Sequence, residues 1–294
     1  MLWRKIEPLL QTVESRKILI AGLGKSGTTI LTARISKSWK ANHIFLEPEG
    51  VQAQSNKVLH QKICSRRGRV ICKILIYPER ADCLTDIQQK YDQIIWMVRD
   101  PRDQMISSFL YAWYAAHGLQ ASRFEAAVDL VKMKEESPGK ISFKSCMETC
   151  FNLNTFFQRY QFLLDQIEKA TTSQNLSPRC LIVKYEDLID GNMDALNAFL
   201  GFEVDMQIPV YKMAEQVNRT KTYGNWRSWF TEEDVAWMKP HLIPFLKRMN
   251  YDATDWKLEN RHRLERRYGS EYMTRMYHYK RSKLDIIRGL LDYY

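Results

Sequence analysis

The sequence predicts an α/β domain built on a central parallel β-sheet flanked by helices. Short apolar runs alternate along the chain with segments of helical periodicity. The runs are continuous rather than alternating, most clearly Gln93-Ile94-Ile95-Trp96-Met97-Val98, as suits parallel strands covered on both faces. The first run opens into a glycine-rich turn and then a helical pattern, Lys17-Ile18-Leu19-Ile20-Ala21-Gly22-Leu23-Gly24-Lys25-Ser26-Gly27-Thr28-Thr29. Strand, loop and helix in that order form an anion-binding unit of α/β domains.

Taken in order, residues 1–16 read as a short leading helix or arm. The first strand covers 17–21, and the loop and its helix run to about residue 40. A second strand, His43–Leu46, stops at Glu47-Pro48 and the turn-forming Glu49-Gly50, because a proline removes a ladder donor and restricts its neighbour. A polar helical segment over 52–64 leads through the basic turn Arg66-Arg67-Gly68-Arg69 to a third strand over 70–76. The fourth strand ends in Arg99-Asp100-Pro101-Arg102-Asp103, where Asp100 suits a helix cap and Pro101 a first helical position. Ile106, Phe109, Leu110 and Trp113 then follow on helical spacing. Residues 117–145 look irregular, with a surface turn Ser137-Pro138-Gly139-Lys140 suited to a lid. A long helix is expected over 146–169, a fifth strand over Cys180–Lys184, and a helix over 192–200 ending at Gly201. From Val204 onward the chain is expected to wrap the core in helices and loops.

At 294 residues the chain can bury one sizeable core, and 45% hydrophobic with 27% charged residues is the composition of a soluble globular protein. The N-terminus lacks the apolar core of a signal peptide, and no stretch approaches the ~20 apolar residues of a membrane span. The six cysteines form no C-x-x-C pair and no Cys/His cluster, so no metal site is expected and the thiols should be reduced, as in the cytoplasm. A net charge of +10 implies a polyanionic partner: a nucleotide, an acidic glycan, nucleic acid or lipid headgroups. Half of that charge lies beyond residue 256, where ten Lys/Arg face five Asp/Glu. The chain therefore divides into a main domain, 1–256, and a basic, tyrosine-rich helical extension, 257–294. The extension would grip a glycan, lie against an anionic membrane or, as the favoured reading, be a solvated helix.

The glycine-rich loop supplies the first candidate site. Gly22, Gly24 and Gly27 would let the main chain approach a ligand, Lys25 adds a cation, and Thr28 and Thr29 add hydroxyls, a set suited to phosphate or sulfate. The nucleotide-binding pattern G-x-x-x-x-G-K-[ST] fails at its first position, which is Leu19. Ligands of parallel sheets lie beyond the carboxyl ends of the strands. There Arg99, with Ser107 two helical turns on, could bracket one phosphate.

These segments resemble the sulfotransferases. Lys25-Ser26-Gly27-Thr28-Thr29 is similar to their 5′-phosphosulfate loop, and Arg99-Asp100-Pro101-Arg102-Asp103 with Ser107 to their 3′-phosphate site. Leu181-Ile182-Val183-Lys184-Tyr185-Glu186-Asp187-Leu188 resembles the segment whose tyrosine lies near the adenine. The stretch from Arg219 to Arg227 resembles the late loop that closes on the 3′-phosphate. Ile30 stands where a stacking tryptophan is common, Thr220-Lys221 replaces a lysine-glycine pair, and the dimerisation signature of the small-molecule branch is missing after Phe230-Thr231. The resemblance implies a P-loop-like sulfotransferase architecture. It implies a donor, 3′-phosphoadenosine 5′-phosphosulfate, bound by Gly24, Lys25, Ser26, Gly27, Thr28, Thr29, Arg99, Ser107, Tyr185 and Arg219, with no metal required.

The resemblance also implies transfer to an acceptor hydroxyl or amine, with Lys25, Glu47 and Lys73 as catalytic candidates. In the small-molecule branch the base is a histidine two residues after a third-strand lysine, but Lys73-Ile74-Leu75 places a leucine there. Phe45-Leu46-Glu47-Pro48 is similar to the Glu-Pro of carbohydrate sulfotransferases, which places the chain nearer carbohydrate and bacterial-type members. A buried Glu47 would have a raised pKa suited to proton abstraction; alternatively it pairs with a neighbouring Lys or Arg. His60 and Glu49 are reserves that read as polar surface residues, and Lys73 would assist at the bridging oxygen or snorkel from a strand end. Eight Trp, fifteen Tyr and the basic surface suit a sugar or acidic glycan as acceptor. No specific nucleic acid is implied, and oligomeric state is left open. The competing classes are a P-loop nucleotide kinase, a non-catalytic polyanion-binding protein, and a catalytically silent relative.

Overall fold

A computed structural model of the chain describes residues 15–48, 56–78, 84–114, 120–208, 219 and 222–279. Five strands, β1 (Lys17–Gly22), β2 (His43–Leu46), β3 (Val70–Leu75), β4 (Gln93–Val98) and β5 (Cys180–Lys184), form an all-parallel sheet in the order β2-β3-β1-β4-β5. Alternate residues enter two separate cores. Leu19, Ala21, Cys72, Ile74, Ile94 and Trp96 face one, while Ile18, Ile20, Ile71, Ile95 and Met97 face the other. Both faces being covered is why the strands read as continuous apolar runs.

The smaller core is closed by α1 (Thr28–Ser38), α8 (Tyr185–Asp190) and α9 (Asp194–Leu200), through Leu31, Ile35, Leu188, Leu196 and Leu200. Each such fully buried side chain contributes about 1.5–3 kcal/mol of transfer free energy. The larger core takes α2 (Lys57–Cys64), α3 (Leu84–Gln88), α4 (Pro101–Tyr111), α5 (Ala121–Glu136), α6 (Phe143–Glu148), α7 (Leu153–Thr172), α10 (Trp226–Trp229), α11 (Glu232–Arg248) and α12 (Ser270–Tyr277).

Several expectations need correction. The stretch expected to be irregular contains α5, whose Phe124, Ala127, Val128 and Val131 recur at helical spacing on a buried face. The turn at 137–140 is tied down rather than lid-like, since buried Lys134 donates to the carbonyls of Pro138 (3.0 Å) and Ile141 (2.5 Å). The single helix expected over 146–169 is two, because Asn152 accepts from the Thr155 N–H and caps a new start. Tail helix α12 is not a solvated helix. Its Tyr272, Met273 and Met276 are buried, Tyr277 stacks on Phe124 with ring centroids 3.8 Å apart, and Ser270 is bonded to Glu135. The leading arm over 1–14 and the tail from 280 lie outside the described residues, as does the 52–55 portion of the expected polar helix.

Candidate functional site

The carboxyl ends of β1, β3, β4 and β5 open on one cleft of about 370 Å³. Its floor is the loop from β1 to α1. Gly27 stands at the helix start with φ 98°, in the left-handed region that favours glycine. Neither a side-chain cap nor a first-turn acidic residue occupies this end of α1, so its free N–H groups and positive dipole end suit an anion. The glycines also serve the packing of the loop itself. A Cβ on Gly22 would lie 2.4 Å from the Met97 carbonyl oxygen, one on Gly24 2.9 Å from the Tyr77 hydroxyl, and one on Gly27 2.6 Å from the Tyr185 ring. They admit neighbouring protein groups and so let the loop seat against β4 and Tyr185, while Gly24 and Gly27 also line the cleft.

Among the described residues five cations line this cleft: Lys25, Lys73, Arg99, Arg159 and Arg219. Desolvation in the cleft, with the charges of Arg99, Arg219 and Lys73 around it, lowers the Lys25 pKa to about 7. Burial first, and Arg99 second, lowers Arg219 to about 10. Arg99 leaves the end of β4, donates to the Lys25 carbonyl (3.2 Å) and lies 4.2 Å from the Tyr185 ring centroid. Nε of Arg99 and both Nε and Nη2 of Arg219 are buried without hydrogen-bond partners among the described residues. Buried guanidinium nitrogens are rarely left so, and an anion would satisfy them.

The frame around these cations is built from carboxylates. Asp100 caps α4 by accepting from the Arg102 N–H (2.9 Å), and its own N–H donates to Glu186 (3.0 Å), linking the ends of β4 and β5. Glu186 also accepts from the Tyr251 hydroxyl (2.8 Å). Asp103, fully buried, accepts from the N–H groups of Gly224 and Trp226. That contact fixes the segment following Arg219 onto α4, one turn from Arg99.

The remaining candidates divide. Lys73 is buried, donates to the Thr29 hydroxyl (2.8 Å) and forms an ion pair with Glu47. The alternative of a paired Glu47 is therefore the observed one, and its side chain is 37% exposed rather than buried as the base argument assumed. Thr28, Thr29, Ser107, Tyr185, Gly24 and Gly27 all line the cleft, whereas Ser26 is buried beneath it, donating to the Leu23 carbonyl (2.7 Å). His60 is no surface residue. It is fully buried with Nδ1 2.6 Å from the Tyr91 hydroxyl, and it does not line the cleft. Glu49 lies outside the described residues. The cleft also takes Tyr77, Ser108, Tyr111, Phe151 and Arg159, which sequence reasoning did not single out. Tyr111 had a signal in the sequence, one helical turn beyond Ser107, and its ring centroid lies 3.9 Å from Lys25 Nζ.

Among the described residues no group of three or more His, Cys, Asp or Glu side chains could hold a metal ion. A family model described as "Sulfotransferase domain" matches residues 84–241, more than half of the chain. Two solved structures that resemble it are the mouse sulfotransferase SULT7A1 complexed with PAP, and retinol dehydratase in a complex with retinol and PAP. The first is 16% identical, covering 81% of this chain and 84% of that one with a TM-score of 0.44. The second is 14% identical, covering 80% and 82% with a TM-score of 0.43. Nothing among curated proteins matches.

Proposed function

The chain belongs to the sulfotransferase domain family, and on that footing we propose that it moves the sulfuryl group of 3′-phosphoadenosine 5′-phosphosulfate to a hydroxyl of a sugar or acidic glycan. The observation that carries this reading is the convergence of Lys25, Lys73, Arg99 and Arg219 on one cleft, with guanidinium nitrogens of both arginines unsatisfied. The family match favours it over the nucleotide-kinase and polyanion-binding alternatives.

When bound, the donor supplies an activated sulfuryl group on a phosphate leaving group. Arg99, Arg219 and Ser107 hold the 3′-phosphate, a group that ATP lacks, and Tyr185 sits beside Arg99 as the adenine wall. The α1 N–H groups, Thr28 and Thr29 receive the 5′ oxygens. Glu47 takes the acceptor proton as the acceptor oxygen bonds to sulfur and the bond from sulfur to the bridging phosphate oxygen breaks. Lys25 and Lys73 neutralise the negative charge left on that phosphate oxygen. Preorganised cations in a desolvated cleft do this without metal.

The Glu47-Pro48 strand end supports placement nearer the carbohydrate branch. We assign the main domain to 1–256 and the extension to 257–294, the latter docked through α12. No helix among the described residues is long and apolar enough to cross a membrane. A cytoplasmic protein whose basic tail touches a membrane peripherally fits the free thiols of the five described cysteines and the net charge of +10.

The test is incubation with the sulfuryl donor and a panel of neutral and uronic-acid oligosaccharides, read by mass spectrometry for added SO₃. Sulfated product is expected, with Glu47→Gln lowering its rate about 100-fold, the scale of a lost general base, while retaining donor-product binding. A Glu47→Gln variant of unchanged rate would remove Glu47 as the base. Transfer only to non-sugar acceptors would remove the glycan assignment.

A further inference from the structure

Among the described residues the donor site leaves one cleft cation unused. Arg159 lies on α7, within the run Phe156-Phe157-Gln158-Arg159-Tyr160, and reaches the same cleft as the phosphate-binding groups. Its guanidinium sits 5.3 Å from the ring centroid of Tyr77 and 5.3 Å from that of Phe156. Among the described residues its buried Nε has no hydrogen-bond partner, and no carboxylate forms an ion pair with it. The one carboxylate among the described residues that line the cleft, Glu47, is taken by Lys73. A guanidinium walled by rings but lacking an anion is a recognition group whose partner arrives from outside.

The neighbours of Arg159 define the kind of ligand. Among the described cleft residues not assigned to the donor, Leu75, Tyr77, Tyr111, Ala112 and Phe151 make a mostly apolar and aromatic wall, with Ile30 and the hydroxyl of Ser108 beside it. Glu47 and Lys73 border both groups. A molecule on this wall must present a hydroxyl to Glu47 and lay a ring or apolar body along Tyr77, Tyr111 and Phe151. Desolvating the Arg159 fork against neutral groups alone would cost affinity, whereas a carboxylate or sulfate would satisfy it.

Resting on the sulfotransferase reading, we propose that Arg159 is a specificity residue that selects acceptors carrying an anionic group on a ring-bearing body. The acceptor hydroxyl lies toward Glu47 and the anion against Arg159. Uronic sugars and carboxylated phenols share this chemistry, and matched pairs separate them: p-nitrophenyl β-glucuronide against the β-glucoside, and 4-hydroxyphenylacetate against 4-hydroxyphenylethanol.

Each ligand would be titrated calorimetrically into the full chain, with and without saturating adenosine 3′,5′-bisphosphate. The proposal expects the anionic member of at least one pair to bind about tenfold or more tightly than its neutral partner, the scale of one charge-assisted contact. Arg159→Gln should abolish that preference and Arg159→Lys restore part of it, while bisphosphate affinity stays unchanged in both. The pair that responds identifies a sugar or a phenolic acceptor. Equal binding within both pairs, no binding by any of the four, or a preference that survives Arg159→Gln overturns the proposal. Failure of the bisphosphate itself to bind the unmodified protein strikes at the sulfotransferase reading instead, and the titrations without bisphosphate still decide the role of Arg159.

Discussion

Raising the pH through the weakly basic range should weaken binding of adenosine 3′,5′-bisphosphate, and Lys25 sets how steeply. In the free protein its pKa is lowered to about 7, by burial first and then by Arg99, Arg219 and Lys73. A bound phosphate opposite those cations favours the charged lysine and raises its pKa in the complex. The ligand therefore binds the protonated form, so affinity is full below about pH 7 and falls as pH rises toward the pKa of the complex. With a free pKa of about 7 and a complex pKa above ~9.5, affinity falls about eightfold between pH ~7.5 and ~8.5. Binding at pH ~8 should take up about 0.9 proton. The phosphomonoester, with a second pKa of about 6, is already ionised there, and Arg219, lowered to about 10, titrates above the window. Calorimetry in buffers of different ionisation enthalpy measures the uptake, which Lys25→Met should remove. A pH-independent affinity without proton uptake, or the same uptake in Lys25→Met, would refute the reasoning.

Two further outcomes follow from the frame of the site. Gly27→Ala forces a Cβ to within 2.6 Å of the Tyr185 ring at a φ of 98°. It should cost about 1–3 kcal/mol in denaturant unfolding, and a stability unchanged within error would show that the loop relaxes freely. Asp103→Ala strands the N–H groups of Gly224 and Trp226, for a loss of about 2–4 kcal/mol. Bisphosphate binding should weaken with it, because the segment after Arg219 loses its anchor; intact affinity would mean that Arg219 is held by other contacts.

The parts of the site that end strands were legible because a parallel sheet delivers its carboxyl ends to one edge, and local chemistry marks them. Pro101 and Asp100 announce α4 wherever it packs, so Arg99 and Ser107 could be placed from the sequence. Arg159 could not, since it comes from a helix far along the chain, and an arginine among Phe156, Phe157 and Tyr160 gives no sign of which face it takes. His60 was misjudged because its polar neighbours suggested solvent, while burial beside Tyr91 depends on α2 packing beside β3 and α3. The loop glycines read as room for a ligand, while their closeness to Met97, Tyr77 and Tyr185 could not be read, since those contacts exist only once the sheet forms. Helix α5 carried a readable buried stripe, masked by the charged residues between its apolar positions.

The central claim is that the cleft is built for a 3′-phosphorylated adenosine nucleotide. Its most direct test is calorimetric titration of the chain with adenosine 3′,5′-bisphosphate in parallel with ATP plus magnesium, repeated on Arg99→Ala. The account predicts tight binding of the bisphosphate, weakened about tenfold or more in Arg99→Ala by loss of a charge-assisted contact, and no comparable binding of ATP. Preference for ATP, binding of neither nucleotide, or bisphosphate binding indifferent to Arg99 would contradict it.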